Sequence, residues 1–458
     1  MKKLILLLAV LFSPLFFLQA GETYCFRVYL TDKGAAGLPD NSEAYLSQRA
    51  IERRTKHDIA ITSSDLPIPP AYINTLADRG GEIITQSKWL STVVIASTDS
   101  LIAERIEQLQ IVDSVKLVWK GEREREQAES VFLNRDTSLL KPQKETTSNL
   151  YGYAEPQIKM LNGKKLHDKG YTGKNLSIAV TDAGFTNVNR MDAFRSLRLA
   201  GTKNFVSPGE SIFRGDDHGT KVLSCLAACA PGIMVGTAPQ ATYWLLKTED
   251  NRSEFPIEED YWVSAIEFAD SAGVDIIASS LGYFSFDVEE MNYSADLLDG
   301  KTAFISRAAH IAAEKGILVV SSAGNEGNND WEKITFPADA THILTVGAIT
   351  EEKEKSSFSS IGFTADCRVK PDLVALGSDC AVIGWSGDIQ YSSGTSFSAP
   401  IIAGLTACLW EALPQLTNKE LIALLQSTAS QSRRPDAEKG FGIPDIYKAY
   451  KKGRRNAD

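Results

Sequence analysis

The chain has 458 residues, 43% hydrophobic and 23% charged, with 48 Lys plus Arg against 58 Asp plus Glu. That length exceeds one domain of usual size, the apolar share excludes a disordered chain, and 33 Gly with 17 Pro are too few for a collagen-like or low-complexity one. A net charge of −10 argues against broad binding to nucleic acid or to anionic membranes.

Lys2 and Lys3 precede an apolar run over residues 4–18, followed by Gln19 and Ala20, the pattern of a secretory signal peptide (1–20) cleaved near Ala20. The run is 15 residues with Pro14 among them, short of the roughly 20 that span a bilayer, so a membrane anchor is not expected and the protein reads as secreted or periplasmic. Residues 21–120 then read as a small α+β unit. A strand at 25–30 is followed by helices at 44–54 and 70–78, strand-like runs at 82–85 and 91–96, a helix capped by Asp99 reaching Leu109, and a last strand at 114–119. Over 121–150 the composition turns to Glu-Arg-Glu-Arg-Glu and then Ser, Thr, Lys and Gln, which cannot bury enough apolar surface to hold a fold; it reads as a cleavable linker.

From 151 to 458 apolar strand-like runs alternate with helical patterns, the runs falling at 176–181, 242–247, 275–280, 317–322, 342–348 and 370–376. Strands buried on both faces and interspersed with helices predict an α/β domain around a parallel sheet. The helix predicted over 256–272 carries Glu258, Glu259 and Asp260 near its positive end, with Gly273 past its other end. With Glu254 these acids read as partners of the helix dipole rather than as a calcium site or a site for basic substrates. Six cysteines are too few for a disulfide framework: Cys225 and Cys229 read as small buried side chains one helical turn apart, and Cys367 with Cys380, flanking the 370–376 strand, is the pair expected to bridge.

Four segments sit where such a fold concentrates chemistry, at strand ends and helix starts. Asp182 closes the strand Ile178-Ala179-Val180-Thr181; His218, one of five histidines, sits in Asp217-His218-Gly219-Thr220; Asn325 follows Ser321-Ser322-Ala323-Gly324; and Ser396 opens a helix in Ser393-Gly394-Thr395-Ser396-Phe397-Ser398-Ala399-Pro400. A serine hydroxyl attacks a carbonyl only when a base takes its proton, and histidine has the pKa for that task. A buried carboxylate holds the imidazole tautomer, and the oxyanion needs preorganised donors such as a backbone N–H at a helix start and a side-chain amide. Taken singly, each residue has an ordinary structural explanation; together, in this order and these contexts, they do not. His57, His167, His310 and His342 lack such a context and read as structural.

The order Asp182, His218, Asn325, Ser396, with His-Gly-Thr, Ala-Gly-Asn and Gly-Thr-Ser-Phe-Ser-Ala-Pro around the last three, resembles the subtilisin-like serine proteases, most closely their secreted bacterial branch. The resemblance runs over residues 157–449. It implies a subtilisin-like catalytic domain acting as a serine endopeptidase on protein or peptide substrates, with Asp182 orienting, His218 as base, Ser396 attacking and Asn325 in the oxyanion hole. It further implies that Ser280, Leu281 and Gly282 pair with the substrate backbone and that Ala323 and Gly324 line the adjoining pocket. The α+β unit becomes a prodomain, an intramolecular inhibitor and folding aid cleaved off at the linker. No cofactor is implied for the chemistry; structural calcium is not readable. Departures are Ala183 where Ser or Thr is usual, Asp217 where Gly is usual and Lys221 where a second His is usual. A catalytically dead peptide-binding relative and a non-proteolytic acyl-transfer enzyme remain the competing readings.

Overall fold

A computed structural model describes residues 22–34, 42–122 and 144–455. The expected signal peptide and most of the expected linker lie outside these residues. The first unit contains β1 (Thr23–Leu30), α1 (Gln48–Lys56), α2 (Pro70–Ala77), β2 (Glu82–Ser87), β3 (Thr92–Ser97), α3 (Ile102–Glu107) and β4 (Val112–Gly121), its strands forming an antiparallel sheet in the order β2-β3-β1-β4. α1 starts later than the sequence suggests because Ser47 supplies its N-cap, its side chain accepting from the Ala50 N–H. Along β1 the two-residue period splits the side chains. Phe26, Val28 and Leu30 enter this unit's own core with Leu76, Ile102 and Ile106, while Cys25, Arg27 and Tyr29 face the other way.

The second unit opens with short helices α4 (Glu155–Lys159) and α5 (Lys164–His167), then β5 (Ser177–Asp182), β6 (Arg198–Asn204), α6 (His218–Ala227), β7 (Cys229–Ala230), β8 (Met234–Val235), β9 (Thr242–Lys247), α7 (Ile257–Ala272), β10 (Ile276–Ser279), α8 (Phe304–Glu314), β11 (Leu318–Ser322), β12 (Leu344–Ile349), β13 (Leu373–Leu376), β14 (Cys380–Ile383), β15 (Ile389–Ser392), α9 (Thr395–Ala412), α10 (Asn418–Thr428) and α11 (Ile446–Arg455). Seven strands form a parallel sheet in the order β13-β12-β11-β10-β5-β9-β6. Every residue of β5, β10, β11, β12 and β13 is buried, as expected of strands covered on both faces. α6, α9 and α10 pack on one face and α7 and α8 on the other.

The first unit's sheet lies across α7 and α8. Tyr29 packs edge-on against Phe304, Trp119 against Phe255, and Glu267 of α7 accepts from the Ser87 hydroxyl and from the N–H groups of Lys88 and Trp89, both at 2.9 Å. The acids read as dipole partners have more specific duties: Asp260 and Glu259 bind the buried guanidinium of Arg27, and Glu258 accepts from the Asp250 N–H at 2.6 Å. Two cysteine expectations change. Cys367 and Cys380 are both free thiols, Cys367 exposed in a turn and Cys380 buried at the start of β14 with its thiol on the Leu376 carbonyl at 3.1 Å. α6 ends at Ala227, so only Cys225 is helical and Cys229 belongs to β7.

Candidate active site

Asp182 ends β5, 2% exposed, where the chain leaves the sheet between β9 and β10. The strand ends are pinned from below: the Trp262 indole N–H of α7 donates to Ser279 Oγ at 3.0 Å and Thr181 Oγ1 at 3.2 Å. Above, the Asp182 carboxylate accepts the Ala183 N–H at 2.8 Å, and its backbone carbonyl accepts the Thr248 N–H at 3.0 Å. The carboxylate therefore has one orientation. His218 Nδ1 lies 2.9 Å from Asp182 Oδ1 and 3.1 Å from Oδ2.

The imidazole is held by the first turn of α6. Gly219 has to be glycine because a Cβ there would stand 2.5 Å from the Gly184 carbonyl oxygen and 2.8 Å from Asp182 Cβ. Asp216 accepts the His218 N–H at 2.6 Å and is itself held by the Asn251 side-chain amide at 2.7 Å. Two of the three departures noted in the sequence complement each other: Lys221 Nζ pairs with Asp217 Oδ1 at 2.9 Å, one turn apart, and Asp217 Oδ2 accepts the Trp385 N–H at 3.0 Å. Nothing in the sequence marks Asp216 or Asn251 as belonging to the site, since each reads as a surface polar residue until the fold assembles them, and nothing there shows that Asp217 and Lys221 pair.

Burial works against a charged His218, but the Asp182 charge and hydrogen bond, with Asp216 behind them, outweigh it and raise the imidazole from 6.5 to about 9. Beside Asp182, Glu249 accepts from the Tyr283 hydroxyl at 2.7 Å; burial above all, with the charges of Glu254 and Asp182, lifts its carboxyl to about 8.

Ser396 is the second residue of α9 and 7% exposed, so its backbone N–H falls among the first four of the helix, which have no partner within it. Its hydroxyl donates to the Ser280 carbonyl at 3.4 Å rather than to the imidazole, and the Ser280 hydroxyl returns the contact, donating to the Ser396 carbonyl at 2.9 Å. The His218 ring lies 5.9 Å from the ring of Phe397, the next residue. Asn325 is tied to the same helix start: its Oδ1 accepts the Thr395 N–H at 2.9 Å and the Thr395 hydroxyl at 3.0 Å. A backbone N–H only donates, so the bonded atom is the amide oxygen and the Nδ2 donors are left for the cleft.

Ser280 and Leu281 leave the end of β10, and a Cβ on Gly282 would come within 2.1 Å of Thr335 Oγ1. Ala323 is buried under the β11–β12 edge with its N–H on the Val346 carbonyl at 2.9 Å, and Gly324 takes φ +106, a backbone conformation that side chains resist. The structure thus gathers Asp182, His218, Ser280, Asn325 and Ser396 at the carboxyl ends of β5, β10 and β11 and the starts of α6 and α9. Among the described residues, the grouping of histidines and acids with metal-ligand spacing lies outside this site.

The profile described as the subtilase family matches residues 173–442, more than half of the chain. The chain is a subtilase. A profile described as the peptidase S8 propeptide domain of Bacteroidota matches residues 25–131, which makes the first unit a propeptide domain and the whole chain a precursor form of a serine endopeptidase. Curated relatives include Subtilisin NAT of Bacillus subtilis subsp. natto, 26% identical over 371 residues that cover 79% of this chain and 90% of that protein. Subtilisin of Bacillus pumilus is 28% identical over 276 residues, 60% of this chain and 90% of that one. In fold, the subtilase is similar to a solved structure titled self-cleaved protease domain of PatA, with a TM-score of 0.50 and 24% identity over 62% of this chain and 98% of that one. No described helix is long and apolar enough to cross a membrane.

Proposed function

We propose that this subtilase is an exported precursor whose Ser396 attacks the peptide carbonyl, with His218 as general base and then acid, Asp182 as its orienter and Asn325 as donor to the oxyanion. The observation that carries this reading is the Asp182–His218 hydrogen bond through Nδ1, because a proton committed to the carboxylate there leaves the Nε2 lone pair to take the serine proton. In this resting arrangement the hydroxyl lies on the Ser280 carbonyl, and a rotation about the serine Cα–Cβ bond releases it toward the imidazole as substrate enters. Ser280, Leu281 and Gly282 offer backbone to an extended substrate, and Ala323 and Gly324 shape the neighbouring pocket. Residues 1–20 serve as the leader, residues 21–120 as the inhibitory domain, and cleavage within 121–150 frees the catalytic domain, 151–458. Labelling with a fluorophosphonate tests the assignment. Ser396 of the mature enzyme is modified and a His218→Ala variant is not, while hydrolysis of casein alongside simple esters distinguishes a protease from another acyl-transfer enzyme; failure to label Ser396 rejects the reading.

Asn325→Ala removes one oxyanion donor. The expected loss in kcat is about 10² to 10³, a range set by the equivalent substitution in subtilisin itself, with KM little changed. An unchanged kcat would place the oxyanion elsewhere.

His218 also sets a pH dependence. Its proton is bound more tightly than in a free imidazole, and the base form exists only above the folded pKa, so kcat/KM of the mature enzyme rises with pH along a limb lying above 6.5. Asp216 contributes to that tightening, so Asp216→Asn moves the limb to lower pH. A limb that stays put in this variant removes Asp216 from the account.

A further inference from the structure

We infer that His310, Glu314 and His342 form a site for one zinc-class divalent cation, fastening the C-terminal end of α8 to the segment that leads into β12. His310 and Glu314 stand four residues apart on one face of α8, and one ligand atom from each of the three residues lies within 4.8 Å of the other two. The third ligand is presented by a backbone conformation uncommon outside glycine: His342 has φ +63 immediately ahead of β12. The rings of His310 and His342 lie 5.7 Å apart, and His342 Nδ1 is 2.7 Å from Glu314 Oε1. The Thr341 hydroxyl lies 2.6 Å from His310 Nδ1 and fixes that ring, the kind of outer contact usual for a metal-binding imidazole.

The donor set selects the ion. Two imidazole nitrogens and one carboxylate suit Zn²⁺, Co²⁺, Ni²⁺ or Cu²⁺, whereas calcium asks for six to eight oxygens. Three protein ligands leave a fourth position to water, and Glu314 and His342 are exposed enough for an ion to arrive from solvent. The competing account is a plain surface ion pair, since Lys419 Nζ holds the two Glu314 oxygens at 2.7 and 2.9 Å. That pair explains neither the second imidazole nor the left-handed backbone at His342. In the metal-free chain the Lys419 ammonium stands in for the cation and must be displaced when one binds.

The test uses the full chain carrying Ser396→Ala, so that it cannot digest itself, titrated with zinc chloride by calorimetry and with cobalt chloride by visible absorption. The expected result is one saturable site per chain, a cobalt ligand-field band, and no displacement by excess calcium. His310→Ala and His342→Ala each weaken zinc by at least about tenfold, and Lys419→Met tightens it. Absence of stoichiometric binding, or binding indifferent to both imidazoles, overturns the site. If His342→Ala does not fold, the Lys419→Met comparison decides, an unchanged affinity there counting against the site.

Discussion

Ser396→Ala lowers peptide hydrolysis by about 10⁶-fold, the figure established for subtilisin's own triad and carried over by kinship, and the full-length variant stays uncut when no other protease is present. The two effects share one cause. Without the hydroxyl no acyl-enzyme forms, at a substrate or at the chain's own linker, while the donors around the vacant position still bind the carbonyl and leave a residual rate above water. Because nucleophile and base act as a unit, His218→Ala falls to a similar level, and the double variant is no worse than either single one. Peptide-hydrolysis rates of the wild type and of the variant whose linker has been cut by an added protease measure the first effect, and the intact mass of the purified full-length variant measures the second. Activity within about a hundredfold of wild type would dismiss Ser396 as the nucleophile, since that is less than the loss of one oxyanion donor can cost. Complete maturation of pure Ser396→Ala protein would dismiss self-cleavage while leaving the nucleophile in place.

The parts of this fold that could be read in advance are those whose physics is local. β9 falls at Thr242–Lys247, the run read from sequence, and β5, β10, β11 and β12 fall within two residues of their runs, because a strand covered on both faces has to be apolar along its whole length. β6, Arg198–Asn204, went unseen for the opposite reason: it is the sheet's outer edge, almost all of it exposed or half-exposed, and its sequence carries no run at all. The Asp182, His218, Asn325 and Ser396 quartet was legible because each residue sits in a short context that positions it, and Gly219 shows why such a context is strict. What could not be read depends on distant pairing. The expected Cys367–Cys380 bridge rests only on the two residues flanking one strand, and the β14–β15 hairpin instead draws Cys380 into the core while Cys367 stays on the surface. Glu259 and Asp260 at the start of α7 read as dipole partners because Arg27, the cation they bind, lies more than two hundred residues earlier.

Arg27→Met is expected to weaken the hold of the propeptide domain on the catalytic domain by about 10² to 10³-fold. The guanidinium lies in the interface, 1% exposed, donating from Nε to Asp260 Oδ1 at 2.8 Å, from a terminal nitrogen to Oδ2 at 2.6 Å and to the Pro256 carbonyl at 3.0 Å, with its carbon 3.5 Å from the centre of the Phe304 ring. Methionine keeps much of the apolar stem against Phe304 but removes the charge, leaving Asp260 and Glu259 buried without their cation. Breaking such a pair from one side costs about 3–5 kcal/mol, and at about 1.4 kcal/mol per decade the upper part of that range exceeds 10³. The carboxylates limit the loss by taking up protons: burial lifts Glu259 to about 7 even with Arg27 beside it, so neutralisation is within reach near neutral pH. The measurement nicks the linker of Ser396→Ala protein with an added protease and compares dissociation of the two fragments with and without Arg27→Met. The gap between the two narrows as pH falls below 7, because Glu259 is then already neutral and the guanidinium has less charge to meet. Equal dissociation constants at neutral pH would mean that the other interface contacts, the rings of Tyr29, Trp119 and Phe255 and the hydrogen bonds to Glu267 among them, hold the domains together and that the buried ion pair contributes nothing net.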